Sequence, residues 1–169
     1  MRKGLDTLYW ICGVLAGIFM IGIAVCILIE LAGAILGFVT RSMDEFAGYS
    51  MAASAFLALS YTFHSNEHIR VTLFIQRFQG RQRSWLEIWC HLLATILAGF
   101  FAWYSIKMTV VSWQIHDVSQ GLIPVPLWIP QLGMAIGTAV FTIAVADRLL
   151  ALASGKLQPD RLDQPMAGR

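Results

Sequence analysis

Two ionisable residues, Glu30 and Lys107, fall inside or at the edge of long apolar runs. A charge within the hydrocarbon layer has to be paired, reach water or serve a binding role, so each is a functional candidate by default. If Trp10 marks one membrane boundary, Glu30 lies about 30 Å further along at 1.5 Å per residue, near the opposite interface. Lys107 sits about 9 Å inward of Trp113 on the same scale. Both are therefore expected in one half of the membrane, close enough in depth to pair or to snorkel, to meet a partner subunit, or to bind a substrate or ion. The histidines are the other groups with chemical capacity. Bis-histidine haem ligation needs two imidazoles at one depth on neighbouring helices. His64 and His91 share an edge, whereas His68 and His116 fall in polar segments. No nucleophile–base set, phosphate loop or metal-ligand spacing is present, so neither catalysis, a cofactor nor a metal is expected. Cys12, Cys26 and Cys90 sit in apolar runs without paired spacing and read as packing residues.

The elements that must position these groups are set by hydropathy. The chain is 57% hydrophobic and 13% charged, where a soluble domain carries about a quarter charged residues. That makes it an all-α integral membrane protein. A net charge of +2, with no basic tract interleaved with aromatics, excludes a nucleic-acid partner. Uncharged runs cover Thr7–Ile29, Phe46–Phe63, Ile88–Ile106 and Leu127–Ala146. Each approaches the roughly 20 residues a transmembrane helix needs, and none alternates as a barrel strand would. Four transmembrane helices are expected, over about 7–39, 44–64, 85–115 and 127–150. They form one membrane domain over 1–153, followed by a polar cytoplasmic tail over 154–169. Arg2 and Lys3 before an apolar run resemble a signal peptide, but the run is too long for one and reads as an uncleaved first span.

Local signals mark the joints. The first span continues past Glu30 through an uncharged stretch, so it is either long and tilted or bent near Gly33 and Gly37. Ser42-x-x-Glu45 has the form of a capping box opening the second helix, with Asp44 and Glu45 on the positive end of its dipole. Two prolines and a glycine make Gln120–Pro126 a turn, and Pro130 is tolerated only in the first turns of the last helix. GxxxG patterns at Gly13–Gly17, Gly33–Gly37 and Gly133–Gly137 allow close helix approach, although the motif is common in spans.

Between the second and third spans lies the one sizeable polar interval, Ser65 to Arg83. Within it Val71, Phe74, Ile75 and Phe78 recur at helical spacing, with Arg70 and Arg77 opposite and His68 nearby. Too short and too charged to cross a bilayer, residues 67–79 are expected to form an amphipathic interfacial helix, its apolar face in the acyl boundary and its arginines among lipid phosphates. With both termini and this arm on one side, ten of the twelve Lys and Arg residues share that side, and only Arg41 and Lys107 remain elsewhere. Such asymmetry puts the termini and the arm in the cytoplasm.

Three stations carry a family resemblance. Arg41-x-x-Asp44–Glu45 opens the second span, Glu67–His68–Ile69–Arg70–Val71 follows it, and Gly121–Leu122–Ile123–Pro124-x-Pro126–Leu127–Trp128–Ile129–Pro130 precedes the fourth. With four spans these resemble the small membrane subunit of TRAP transporters, the DctQ-type family, over about residues 5 to 153. The family commonly continues the second station with an aspartate, where Thr72 stands here. The resemblance implies an inner-membrane scaffold for a large permease subunit. That permease takes up a carboxylate-bearing solute with sodium, delivered by a periplasmic solute-binding protein. It also implies a docking edge for the binding protein near Arg41, Asp44, Glu45 and Asp117. Two other readings stay open at this point. A carboxylate in a first helix is similar to the small four-helix multidrug antiporters, with Glu30 as the working group. A haem-bearing membrane anchor of a respiratory enzyme is the second.

Overall fold

The computed structural model describes residues 2–38, 40, 42–64, 81–121 and 123–154, without the side chains of Arg2, Lys3, His64 and 81–84. Four helices make up the described chain: α1 (Arg2–Leu36), α2 (Met43–His64), α3 (Arg81–Gln114) and α4 (Trp128–Ala153). Their bounds follow local chemistry. Gly37 adopts φ +78°, a left-handed conformation that glycine takes without steric penalty. There its N–H and that of Phe38 both return to the Gly33 carbonyl, at 2.9 and 3.1 Å. This closes α1 with a left-handed cap, so the first helix is long and ends at Leu36 rather than bending. Pro130 is the third residue of α4, where its missing N–H is one that no helix could satisfy.

The helices lie side by side in the order α1–α2–α4–α3, with α2 and α4 in the middle. Close packing is made by small residues. A Cβ built on Gly13 would stand 2.8 Å from the Tyr61 ring, and one on Gly22 would stand 3.6 Å from Ser50 Oγ. Ser54 Oγ donates to the Ala16 carbonyl at 2.9 Å, crossing the same seam. Between α2 and α4, a Cβ on Gly133 would come to 2.8 Å from that of Ala53, and one on Gly137 to 2.5 Å from the Phe56 backbone. Of the three GxxxG patterns, only Gly133–Gly137 has both glycines in a helix–helix crossing. Gly17 and Gly37 face open space, and Gly33 packs on Thr40 and Phe38 of its own turn.

The core follows from this order. Tyr9, Cys12 and Ala16 of α1 meet Leu57 of α2 and Val140 and Ala144 of α4. The face that α3 turns to α4 is polar but small, with Ser105, Thr109 and Ser112 all buried. Ser105 and Thr109 hydroxyls donate to the carbonyls of Phe101 and Ser105 at 2.8 and 2.9 Å. Such backbone bonding satisfies the hydroxyls where no water reaches.

Among the described residues, three helices are long and apolar enough to cross a membrane: Gly4–Leu36, Trp85–Gln114 and Trp128–Ala153. The expected fourth, α2, is a helix of 22 residues but is not apolar enough by composition. Its sequence explains why: Asp44 and Glu45 occupy its first turn, and Gly48, Ser50, Ser54, Ser60 and Thr62 punctuate the rest. The amphipathic arm over 67–79 and the tail from 155 onward lie outside the described residues.

Candidate functional site

The contacts across the array fix the relative depth of the two membrane charges. Gly22 abuts Ser50, so Glu30, eight residues further along α1, is level with Ser42 at the start of α2. Gly99 meets Thr142 and Trp113 meets Trp128, which puts Lys107 level with Met134, next to Gly133 and hence to Ala53. Ala53 is midway along α2. Glu30 therefore stands at the end of the bundle where the α1–α2 and α3–α4 connections gather, and Lys107 stands near mid-bundle. The difference in depth is about 18 Å at 1.5 Å per residue. Both side chains are exposed, on the two flanking helices. The register separates the two residues rather than pairing them, because α1 runs several residues beyond the level at which α2 begins.

At the connection end a polar cluster ties the two loops together. Val118 and Pro126 form an antiparallel bridge. Ser119 N–H donates to the Val125 carbonyl at 2.8 Å, and Leu127 N–H to that of Asp117 at 3.0 Å. The buried Ser119 hydroxyl donates to the Ile123 carbonyl at 3.2 Å and accepts from Val125 N–H at 3.2 Å. It also stands 3.5 Å from Glu45 Oε2, at the outer limit of a hydrogen bond. A Cβ on Gly121 would fall on the Glu45 carboxylate. From the other side Ser42 Oγ accepts the Ile123 N–H at 3.2 Å, with Ser42 itself buried at φ +60°. Ser42 and Glu45 thus do not close the reciprocal capping box their spacing suggested; their side chains reach across to the loop over 119–123. That use was invisible locally, since the partners are 74 and 81 residues away in the chain.

Of the expected docking edge, Asp44 is exposed, Glu45 is half-buried against the loop, and Asp117 is half-buried beside the bridge. All three gather at the connection end, while Arg41 lies outside the described residues. Beside them Trp113 and Trp128 pack edge-on, ring centroids 4.7 Å apart. With His116, Val118 and Pro126 they line a shallow, mostly apolar cleft of about 190 Å³. His91, at the opposite end, donates through Nδ1 to the Glu87 carbonyl at 2.9 Å. The remaining arm residues, His68, Arg70, Val71, Phe74, Ile75, Arg77 and Phe78, are outside the described residues.

What the array defines is a membrane-embedded helical protein in which the hydroxyls of Ser60, Ser105, Thr109 and Thr138 are spent on the backbone of their own helices. The model of the family "Tripartite ATP-independent periplasmic transporters, DctQ component" matches residues 23–155. That match covers most of the chain, which therefore belongs to this family of transporter components and to the inner membrane. Among curated proteins, none matches the chain.

Proposed function

We propose that this chain is the small, four-span scaffold subunit of a tripartite transporter. It supports a large permease subunit in sodium-coupled uptake of a carboxylate-bearing solute, which a periplasmic binding protein delivers. The family match over residues 23–155 carries the reading. The internal chemistry supports it, because Ser60, Ser105, Thr109 and Thr138 each bond to a carbonyl of their own helix. Nothing in that set is left over to line a path for a hydrophilic solute. A carboxylate exchanging ions near mid-membrane is not provided by Glu30, whose level is that of the loop end.

α2 is the fourth crossing. Its 22 residues reach about 33 Å, the hydrocarbon thickness of a bilayer. It runs alongside α1 and α4 rather than across them, with the seams Gly13–Tyr61, Ala16–Ser54 and Gly22–Ser50 all in one register. Flanked by two apolar helices, it needs less lipid-compatible surface than they do. With four crossings both termini and the arm at 67–79 are cytoplasmic, and the loop cluster of Ser42, Glu45 and Ser119 is periplasmic. Interfacial arginines at 70 and 77 resist vertical displacement, since an arginine at the bilayer centre costs several kcal/mol. Arg41, Asp44, Glu45 and Asp117 form the edge that receives the binding protein.

Proteoliposomes holding the large permease with or without this chain provide the test. Under an inward sodium gradient and with solute-loaded binding protein outside, uptake is expected only when both subunits are present. Equal uptake by the large subunit alone would overturn the scaffold role.

A further inference from the structure

Resting on the functional reading above, we propose that the outward face of α3 is the surface that docks the large permease subunit, with Lys107 as its polar anchor. The partner chemistry it fits is a hydrogen-bond acceptor held within the membrane. A carboxylate or the free carbonyl end of an interrupted helix would serve.

Two opposite faces run along α3. One, with Glu87, Ala102, Ser105, Thr109 and Ser112, is buried. At 100° per residue, the face directly opposite carries Ile96, Phe100, Trp103, Tyr104 and Lys107. These apolar and aromatic residues are 53–69% exposed, and Phe100 and Tyr104 pack on each other at 4.6 Å. Aromatic side chains facing lipid concentrate at the membrane boundaries, whereas exposed aromatics gathered away from those boundaries are the composition of a protein interface. The outward face of α1, the other flank, is ordinary by comparison: Met20, Ile21 and Leu28 are its most exposed central residues, all aliphatic or thioether.

Lys107 makes the distinction sharper. It is exposed and level with Ala53, midway along α2. Its nearest water boundary is the periplasmic one at Trp113, about 9 Å away. Yet Cα–Cβ bonds lean toward a helix's N-terminus, which for α3 is the cytoplasmic end. The side chain therefore leaves the helix pointing away from the boundary it would have to reach by snorkelling. Glu30 cannot neutralise it, being on the opposite flank and far off in depth. An ammonium in that position is met by a neighbouring protein, and the large permease is the membrane partner this family provides.

The test uses the two-subunit complex in native membranes. A benzophenone-bearing phenylalanine at position 103 is expected to cross-link to the large subunit, and the same probe at position 20 is not. Lys107→Leu is expected to lower the large subunit recovered per small subunit by about five- to tenfold, as loss of one intramembrane hydrogen-bonded contact implies. Lys107→Arg should retain it. Leucine inserts into membranes more readily than lysine, so a fall in recovery with unchanged small-subunit yield reports the interface. Cross-links from position 20 but not 103, or full recovery with Lys107→Leu, would overturn the proposal while leaving the scaffold role standing. Wild-type membranes yielding no large subunit at all would overturn the scaffold role as well.

Discussion

At Ser119 one hydroxyl serves three neighbours, and its loss should be felt beyond the loop. Ser119→Ala removes the acceptor for Val125 N–H and the donor to the Ile123 carbonyl. A cost of about 1–2 kcal/mol is expected for a buried group left unbonded, read as a lower unfolding midpoint of the detergent-purified chain by tryptophan fluorescence. The glycines give a paired contrast. Gly137→Leu would force a side chain into the Phe56 backbone, which cannot yield cheaply. It should destabilise by about 1–3 kcal/mol, whereas Gly17→Ala, facing open space, should be neutral or slightly stabilising on helix propensity. Equal effects of the two would mean that the α2–α4 crossing is not close. Residue identity alone told little of this. The GxxxG spacing marks six glycines alike, and which of them meet a neighbour depends on how the helices pair. Ser119 carried no signal, because Glu45 comes within reach of it, and Ser42 within reach of Ile123, only when two loops converge.

Among the elements, the apolar helices were legible from hydropathy, and their ends lie within a few residues of Gly37, Asp44 and Trp128, where the local chemistry put them. α2 was legible as a helix from its uncharged run but is less apolar than the other three, and α1 and α4 approach it at Ser50, Ala53, Ser54 and Phe56. Its crossing is checked by labelling. In a background with Cys12, Cys26 and Cys90 replaced, Gln120→Cys should react with a membrane-impermeant maleimide in spheroplasts. Lys3→Cys and Ser154→Cys should both react only after permeabilisation, and labelling of just one of these two from outside would break the even number of crossings. The interfacial arm has its own test. Replacing Arg70 and Arg77 together with leucine removes the charges proposed to hold it among phosphates. Uptake or complex recovery should fall, and normal values for both would count against an anchoring role.

Taken whole, the molecule is an open row of four helices with two large outward faces rather than a closed bundle around a site. α4 has 39% of its apolar window buried, against 11% in α1 and in α3, so the flanking helices keep most of their surface for lipid or for another protein. On the proposed scaffold role, a row of this kind is the fixed wall against which the neighbouring subunit moves. The α1–α2 and α3–α4 connections are stitched together by Ser42, Glu45 and Ser119, which holds the two halves of the row in register at that end. Charge reversal at Asp44 and Asp117 should weaken delivery by the binding protein without loss of the subunit complex. Unchanged uptake in both variants would remove the docking edge. The most direct measurement is purification of the tagged chain from its host in mild detergent, with mass identification of what accompanies it. A large multi-span permease in a one-to-one ratio is the predicted result. Recovery as a homodimer that transports cations in liposomes without any second subunit would contradict the account.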